Sequence, residues 1–174
     1  EVDVNKIKIG NSNPFTLIAG LNVLESEKVI EQVISHCVEV TRILKIPYVF
    51  KASYDKANRS SIESYRGPGV DEGLRILSDL KRDFKVPIIS DVHTVEEVHR
   101  ASEVLDIIQI PAFLSRQTDL IKEAASTKKP LNVKKGQFMA PEDSINIIKK
   151  CEHFGNKQLM ICERGSSFGY NNLV

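Results

Sequence analysis

The chain has 174 residues, 41% of them hydrophobic, and a formal net charge of +1; that is enough apolar material for the core of one domain. So small a net charge excludes a nucleic-acid coat or a polybasic membrane surface, and no apolar run approaches the roughly 18 residues of a membrane-spanning helix. Cys37, Cys151 and Cys162 are too few and too scattered for a disulfide framework or a zinc pattern, and read as reduced thiols.

Val2, Val4, Ile7 and Ile9 alternate with polar residues ahead of the turn chemistry of Gly10-Asn-Ser-Asn-Pro14, which predicts a small N-terminal hairpin. The opening Glu1-Val-Asp-Val-Asn is polar and acidic and does not read as a signal peptide. Residues 15–19 form a compact apolar run, read as a buried strand. A helix capped by Ser26 follows, with Val29, Ile30, Val33, Ile34, Cys37, Val38, Val40 and Ile43 at helical spacing. Residues 47–50 are the next strand. A long polar loop leads to a helix from Val70 that carries Leu74, Ile76, Leu77, Leu80 and Phe84.

The alternation continues with a strand over 86–89 and a helix capped by Thr94 that carries Val95, Val98, Ala101 and Val104. A strand over 106–110 precedes a helix over 117–126 with Leu120, Ile121 and Ala124. A strand over 131–133 precedes a helix opened by Pro141. Residues 157–162 are the last strand. Strand and helix alternating without hairpin spacing mean an α/β fold with a parallel sheet. A doubly wound sheet and a barrel both satisfy that pattern. Polar residues near the C-terminal end of strand after strand favour the barrel: Asn22, Lys51, Asp91, Gln109, Lys134 and Arg164. The expectation is a (β/α)8 TIM barrel, incomplete at about six strands. It forms one domain over 1–174, with the hairpin in 1–14 and the first part of the barrel in 15–174.

Loops as long as 51–69 are usually functional. This one holds Lys51, Lys56 and Arg59, which repel one another unless an anion neutralises them. With Lys134 and Arg164 they make five cations on rim positions, suited to phosphate or carboxylate. A solvated polar loop is the competing reading. Arg66-Gly-Pro-Gly69 reads as a rigid turn into the next helix. Asp91 and His93, two apart at a strand end, are expected to point in different directions, with Asp91 in a hydrogen-bond network rather than on a metal. No G-x-G-x-x-G, Walker or nucleophile-elbow sequence is present, so a nucleotide cofactor or a Ser-His-Asp triad is not expected.

Lys51-Ala-Ser-Tyr-Asp-Lys-Ala-Asn-Arg-Ser-Ser61, followed by Arg66-Gly-Pro-Gly69, resembles the signature of the 3-deoxy-manno-octulosonate 8-phosphate (Kdo-8-phosphate) synthases. Ser90-Asp-Val-His93, Gln109-Ile-Pro-Ala-Phe113, Arg116-Gln-Thr-Asp119, Asn132-Val-Lys-Lys-Gly-Gln-Phe138 and Cys162-Glu-Arg-Gly165 follow in the same order, so the resemblance runs from about Phe15 to the last residue. It implies a cytoplasmic homotetramer, with neither nucleic acid nor membrane as partner, that condenses phosphoenolpyruvate with arabinose 5-phosphate for lipopolysaccharide synthesis. It also implies two further strand-helix units beyond this chain.

The resemblance implies Ser53, Lys56 and Gln109 near the phosphoenolpyruvate carboxylate, and Arg164, Lys134 and the Ala112 backbone near its phosphate. It implies Asn58 on the sugar hydroxyls, Arg59 and Ser60 on the sugar phosphate, and Arg116 reaching that phosphate from a neighbouring subunit. Lys134 is the candidate proton donor to the aldehyde; Asn22, Lys56 and Asp91 complete the expected catalytic set, with Lys51 among the binding residues. Asn22 stands where the metal-dependent branch carries Cys. The resemblance is therefore to the metal-independent branch, and no metal or other cofactor is expected. The related heptulosonate-forming synthases carry Lys-Pro-Arg-Thr-Ser in the loop, which Ala57-Asn-Arg-Ser-Ser61 separates from this chain. A sister synthase with a different sugar phosphate, and a non-catalytic fragment or binding module, remain alternatives at this level.

Overall fold

The computed structural model describes residues 1–167 and 169; residues 168 and 170–174, which end the expected domain, lie outside them. Strands β1 (Val2–Val4) and β2 (Ile7–Ile9) pair antiparallel as the expected hairpin. Six parallel strands follow: β3 (Leu17–Gly20), β4 (Tyr48–Lys51), β5 (Ile88–Asp91), β6 (Ile107–Ile110), β7 (Leu131–Lys134) and β8 (Leu159–Cys162). The helices between them are α1 (Glu27–Leu44), α2 (Val70–Phe84), α3 (Val95–Val104), α4 (Thr118–Ser126) and α5 (Ser144–His153).

The strand order is β3-β4-β5-β6-β7-β8, each strand beside the next in sequence. A doubly wound sheet would reverse its order at a switch point. The helices also share one side. Ile30 and Ile34 of α1, Leu74 and Leu77 of α2, Val98 of α3, Ile121 of α4 and Ile147 of α5 join one core with Phe50, Ile88, Ile108 and Val133 of the sheet. A one-sided helical layer over a monotonic parallel sheet is the barrel wall, curled to about six strands as expected.

The opposite, inward face is divided along the strand axis. Its lower part is apolar: Val49, Ile89 and Ile107 pack with Val2 and Val4 of the hairpin, which plugs that end. Asp106 ties the plug in place. Its carboxylate accepts from Asn5 at 3.1 Å, from Lys81 of α2 at 2.9 Å and from the Ile88 N–H at 2.9 Å. Two residues further along each strand the same face turns polar, because side chains alternate with a period of two. Val49 is followed by Lys51, Ile89 by Asp91 and Ile107 by Gln109.

Local signals behaved unevenly. Thr94 caps α3 by accepting the Glu97 N–H at 3.3 Å. Ser26 takes the N-cap backbone geometry of α1 but makes no side-chain cap. Pro141 opens a short 3-10 turn (Pro141–Asp143) that leads into α5. The strands mostly begin and end a residue or two later than expected, which brings the rim residues Lys51, Asp91 and Lys134 into the ladders.

Candidate active site

The polar ends of the strands converge on a cavity of about 460 Å³. Of the residues expected from sequence, Asn22, Lys56, Asn58, Arg59, Asp91, Gln109, Ala112, Lys134 and Arg164 line it. They come from the segments after β3, β4, β6 and β8 and from the last residues of β5, β6 and β7. No two neighbouring strands supply the whole set, so sheet curvature is what assembles it.

Lys51 and Ser53 lie beneath this lining. Lys51 Nζ donates to Ser53 Oγ at 2.7 Å and stands 3.8 Å from Asp91. Ser53 Oγ in turn donates to Asp91 Oδ1. Asn132 Nδ2 donates to Gln109 Oε1 at 3.2 Å and so orients that amide from the neighbouring strand. Ala112 begins a 3-10 turn (Ala112–Leu114), whose first N–H groups have no acceptor within the turn and remain available to an anion.

Two further expected residues, Ser60 and Arg116, lie away from the cavity. Ser60 is exposed and outside the lining. Arg116 borders a separate depression with Phe138 and Lys150, and its carbonyl accepts from Lys150 at 3.1 Å.

The loop over 51–69 is irregular, as its composition implies, but it is pinned. The Lys56 N–H donates to the Arg66 carbonyl at 2.6 Å, and Arg66 Nε meets Asp55 at 2.9 Å. Tyr65 OH reaches the Leu24 carbonyl at 3.1 Å, and Arg59 Nε reaches the Tyr65 carbonyl at 3.1 Å. These bonds hold Lys56, Asn58 and Arg59 toward the cavity.

A family model described as the DAHP synthetase I family matches residues 1–174. The chain belongs to that family. Proteins named 2-dehydro-3-deoxyphosphooctonate aldolase from Hahella chejuensis, Pseudomonas paraeruginosa and Pseudomonas putida are 60%, 57% and 56% identical to it over 173 residues. Each match covers 99% of this chain and 62% of the relative, so the chain spans less than two thirds of their length.

In this member of the DAHP synthetase I family one sequence expectation is overturned. Asp91 and His93 do not diverge: His93 Nε2 is 3.3 Å from Asp91 Oδ2. Residues two apart along a strand share a face, so the period of two predicts their contact. His93 also lines the cavity, as do Pro111, Phe113 and Leu114, none of which the sequence reading singled out for the site.

Lys135 was missed for a different reason. It is buried, and its Nζ donates to the carbonyls of Gly136, Met139 and Gly165 at 3.0–3.1 Å. It also lies 3.4 Å from Glu163 Oε1, which accepts the Arg164 N–H at 2.8 Å. This lysine braces the backbone that presents Arg164. The adjacent Lys134 has a more accessible side chain and lines the cavity.

The electrostatics follow from burial and crowding. Burial, then the charges of Lys56 and Lys134, bring Lys51 down to about 8, against the pull of Asp91. Burial disfavours an ionised Asp91, but His93, Lys51, Lys56 and Ser53 outweigh it and hold the carboxyl well below its usual range. An anion in the cavity favours the protonated lysine. Binding of an anion such as sulfate near pH 8 is therefore expected to take up protons, because part of the Lys51 population is neutral beforehand. The uptake should fade toward about pH 6, where Lys51 is already charged. Calorimetry in two buffers of different ionisation enthalpy measures it. Binding with no proton uptake at pH 8 would remove Lys51 from the anion site.

Proposed function

We propose that the protein carrying this chain condenses phosphoenolpyruvate with arabinose 5-phosphate to give Kdo 8-phosphate and phosphate. One observation carries the reading: Lys56, Arg59, Lys134 and Arg164, from three separate segments, line a single cavity with Asn58 and Gln109. Such a cavity suits two anionic substrates better than one, and the names of the relatives support the same chemistry.

Carbon 3 of phosphoenolpyruvate forms the new bond to the aldehyde carbon of the sugar, whose oxygen takes a proton. Water adds at carbon 2, and the bond from carbon 2 to the bridging oxygen breaks to release phosphate. Lys134 is the proposed proton donor to the aldehyde oxygen. Lys56, with Ser53 and Gln109, faces the carboxylate; Lys134, Arg164 and the Ala112 N–H face the phosphate. Asn58 binds the sugar hydroxyls, and Arg59 with Ser60 binds the sugar phosphate. Arg116 serves a neighbouring copy, in a cytoplasmic tetramer. Holding two anions in line lowers the barrier by orientation and by pre-placed charge.

The residues do not fit a divalent cation. Asn22 offers a neutral amide where a thiolate would be a soft anionic ligand. Lys51 Nζ donates to the Asn22 backbone carbonyl at 3.5 Å, and Lys56 and Lys134 share the cavity. Among the described residues no three His, Cys, Asp or Glu side chains are grouped to hold a metal. The proposed reaction therefore runs on lysine and arginine charge.

In the full-length protein, phosphate release from phosphoenolpyruvate should require arabinose 5-phosphate and survive exhaustive chelation. A preference for another sugar phosphate points to a sister synthase. Activity lost to EDTA and restored by manganese or zinc overturns the metal-free reading.

A further inference from the structure

His93 on the cavity wall and Glu97 and Tyr54 behind it form a chain to which the condensation reading gives no task. The two ring nitrogens of His93 face two different carboxylates. Nε2 is 3.3 Å from Asp91 Oδ2, and Nδ1 is 3.2 Å from Glu97 Oε2. An ionised carboxylate only accepts hydrogen bonds, and a neutral imidazole has a single N–H to donate. Satisfying both contacts requires a proton on each nitrogen.

The second carboxylate is fixed in turn. Glu97 Oε2 also accepts the His93 backbone N–H at 2.9 Å and the Tyr54 hydroxyl at 2.9 Å. It sits in the first turn of α3, where the helix dipole favours a negative charge. Tyr54 is fully buried and meets the imidazole edge-on, ring centres 6.0 Å apart.

Asp91 is the only carboxylate among the described residues lining the cavity, and it stands among cations meant for substrate anions. Left free, it would compete for Lys56. We propose that His93 is a positioning residue, an imidazolium clamped between Asp91 and Glu97 that engages Asp91 Oδ2 and offsets its charge, so that the cavity cations stay available to anions. The functional half of this rests on the condensation reading; the state of the ring does not.

The groups facing the ring are Asp91 from β5, Glu97 from α3 and Tyr54 from the segment after β4, with Lys51 and Lys56 on the far side of Asp91. Burial works against charge on the ring, and the two carboxylates outweigh it and raise the imidazolium to about 9. Burial likewise disfavours an ionised Glu97, but His93 and Tyr54 hold it below its ordinary range.

The test is nitrogen NMR of histidine-labelled full-length protein, with the His93 signals assigned by their loss in His93→Gln. Both ring nitrogens should carry protons at pH 7, and Glu97→Gln should shift the loss of that proton to lower pH. A ring neutral at pH 7 overturns the clamp. Alongside it, His93→Gln should weaken inorganic phosphate binding and raise KM for phosphoenolpyruvate by about tenfold, the lower range for losing a charge-assisted hydrogen bond. Wild-type phosphate affinity in that variant overturns the positioning role. If the wild-type protein does not turn over phosphoenolpyruvate, the condensation reading fails instead, while the ring spectra and phosphate affinity still decide the clamp.

Discussion

Replacing Arg59 by Ala is expected to raise KM for arabinose 5-phosphate by about 10- to 150-fold, the range for losing a charge-assisted hydrogen bond, and to leave KM for phosphoenolpyruvate within about twofold. Arg59 lines the cavity from the loop after β4. It is exposed, and it also lines the neighbouring depression bounded by Ser26 and Tyr65. A guanidinium held there by the Tyr65 carbonyl can grip a phosphate with its remaining N–H groups. Lys134 and Arg164 enter from β7 and from beyond β8, so an anion bound between them loses nothing when Arg59 is shortened. Steady-state kinetics with each substrate varied in turn measures the two effects. Equal rises for both substrates would place Arg59 in a shared anion pocket and sink the separate assignment.

Much of that geometry was legible from pattern alone. A strand carries polar residues at its C-terminal end on the same face as apolar residues two positions earlier. Val49 with Lys51, Ile89 with Asp91 and Ile107 with Gln109 therefore announce both the plug and the rim. The same period, applied to Asp91 and His93, gives their contact; the expectation that they diverge misapplied it. Lys135 was not legible, because nothing in the pair Lys134-Lys135 says which ammonium finds carbonyls to fill and which meets solvent. Those carbonyls belong to Gly136, Met139 and Gly165, and loop closure alone brings them together. Tyr54 was opaque for a similar reason. Its burial depends on Gly67 and Gly73, which only the folded loop places against it.

Gly67→Ala is expected to destabilise the folded protein by about 3 kcal/mol, from backbone strain and overpacking that each cost on the order of 1–3. Gly67 has φ +122°, and a Cβ there would run into the Tyr54 carbonyl oxygen and meet Val23 Cγ2 at 3.0 Å. Neither the carbonyl nor the loop yields easily: the Gly69 N–H donates to that same oxygen at 3.1 Å. Gly69→Ala separates the two causes, since φ is +85° there but nothing lies within 4 Å of the added Cβ. It should carry the strain alone and cost about 1 kcal/mol, the lower end of that range. Denaturant unfolding of both variants in the full-length protein measures the difference. Equal losses would mean that the loop moves freely around Tyr54 and that the fixed placement of Lys56 and Arg59 is wrong.

The hairpin of β1 and β2 is made before the strands it packs against and is seated late. Val2 and Val4 are buried against Val49, Ile89 and Ile107, and the Asp3 N–H donates to Gln158 at 2.7 Å, 155 residues further along the chain. A lone two-stranded hairpin is marginal in water. Contacts between such distant residues also carry a loop-closure entropy that the stepwise pairing of neighbouring strands avoids. On the ribosome, then, this segment has nothing to dock on until the strands over which it closes have been synthesised and ordered. Its docking belongs to the last steps of folding, and it latches the correct strand order from the end of the barrel opposite the chemistry.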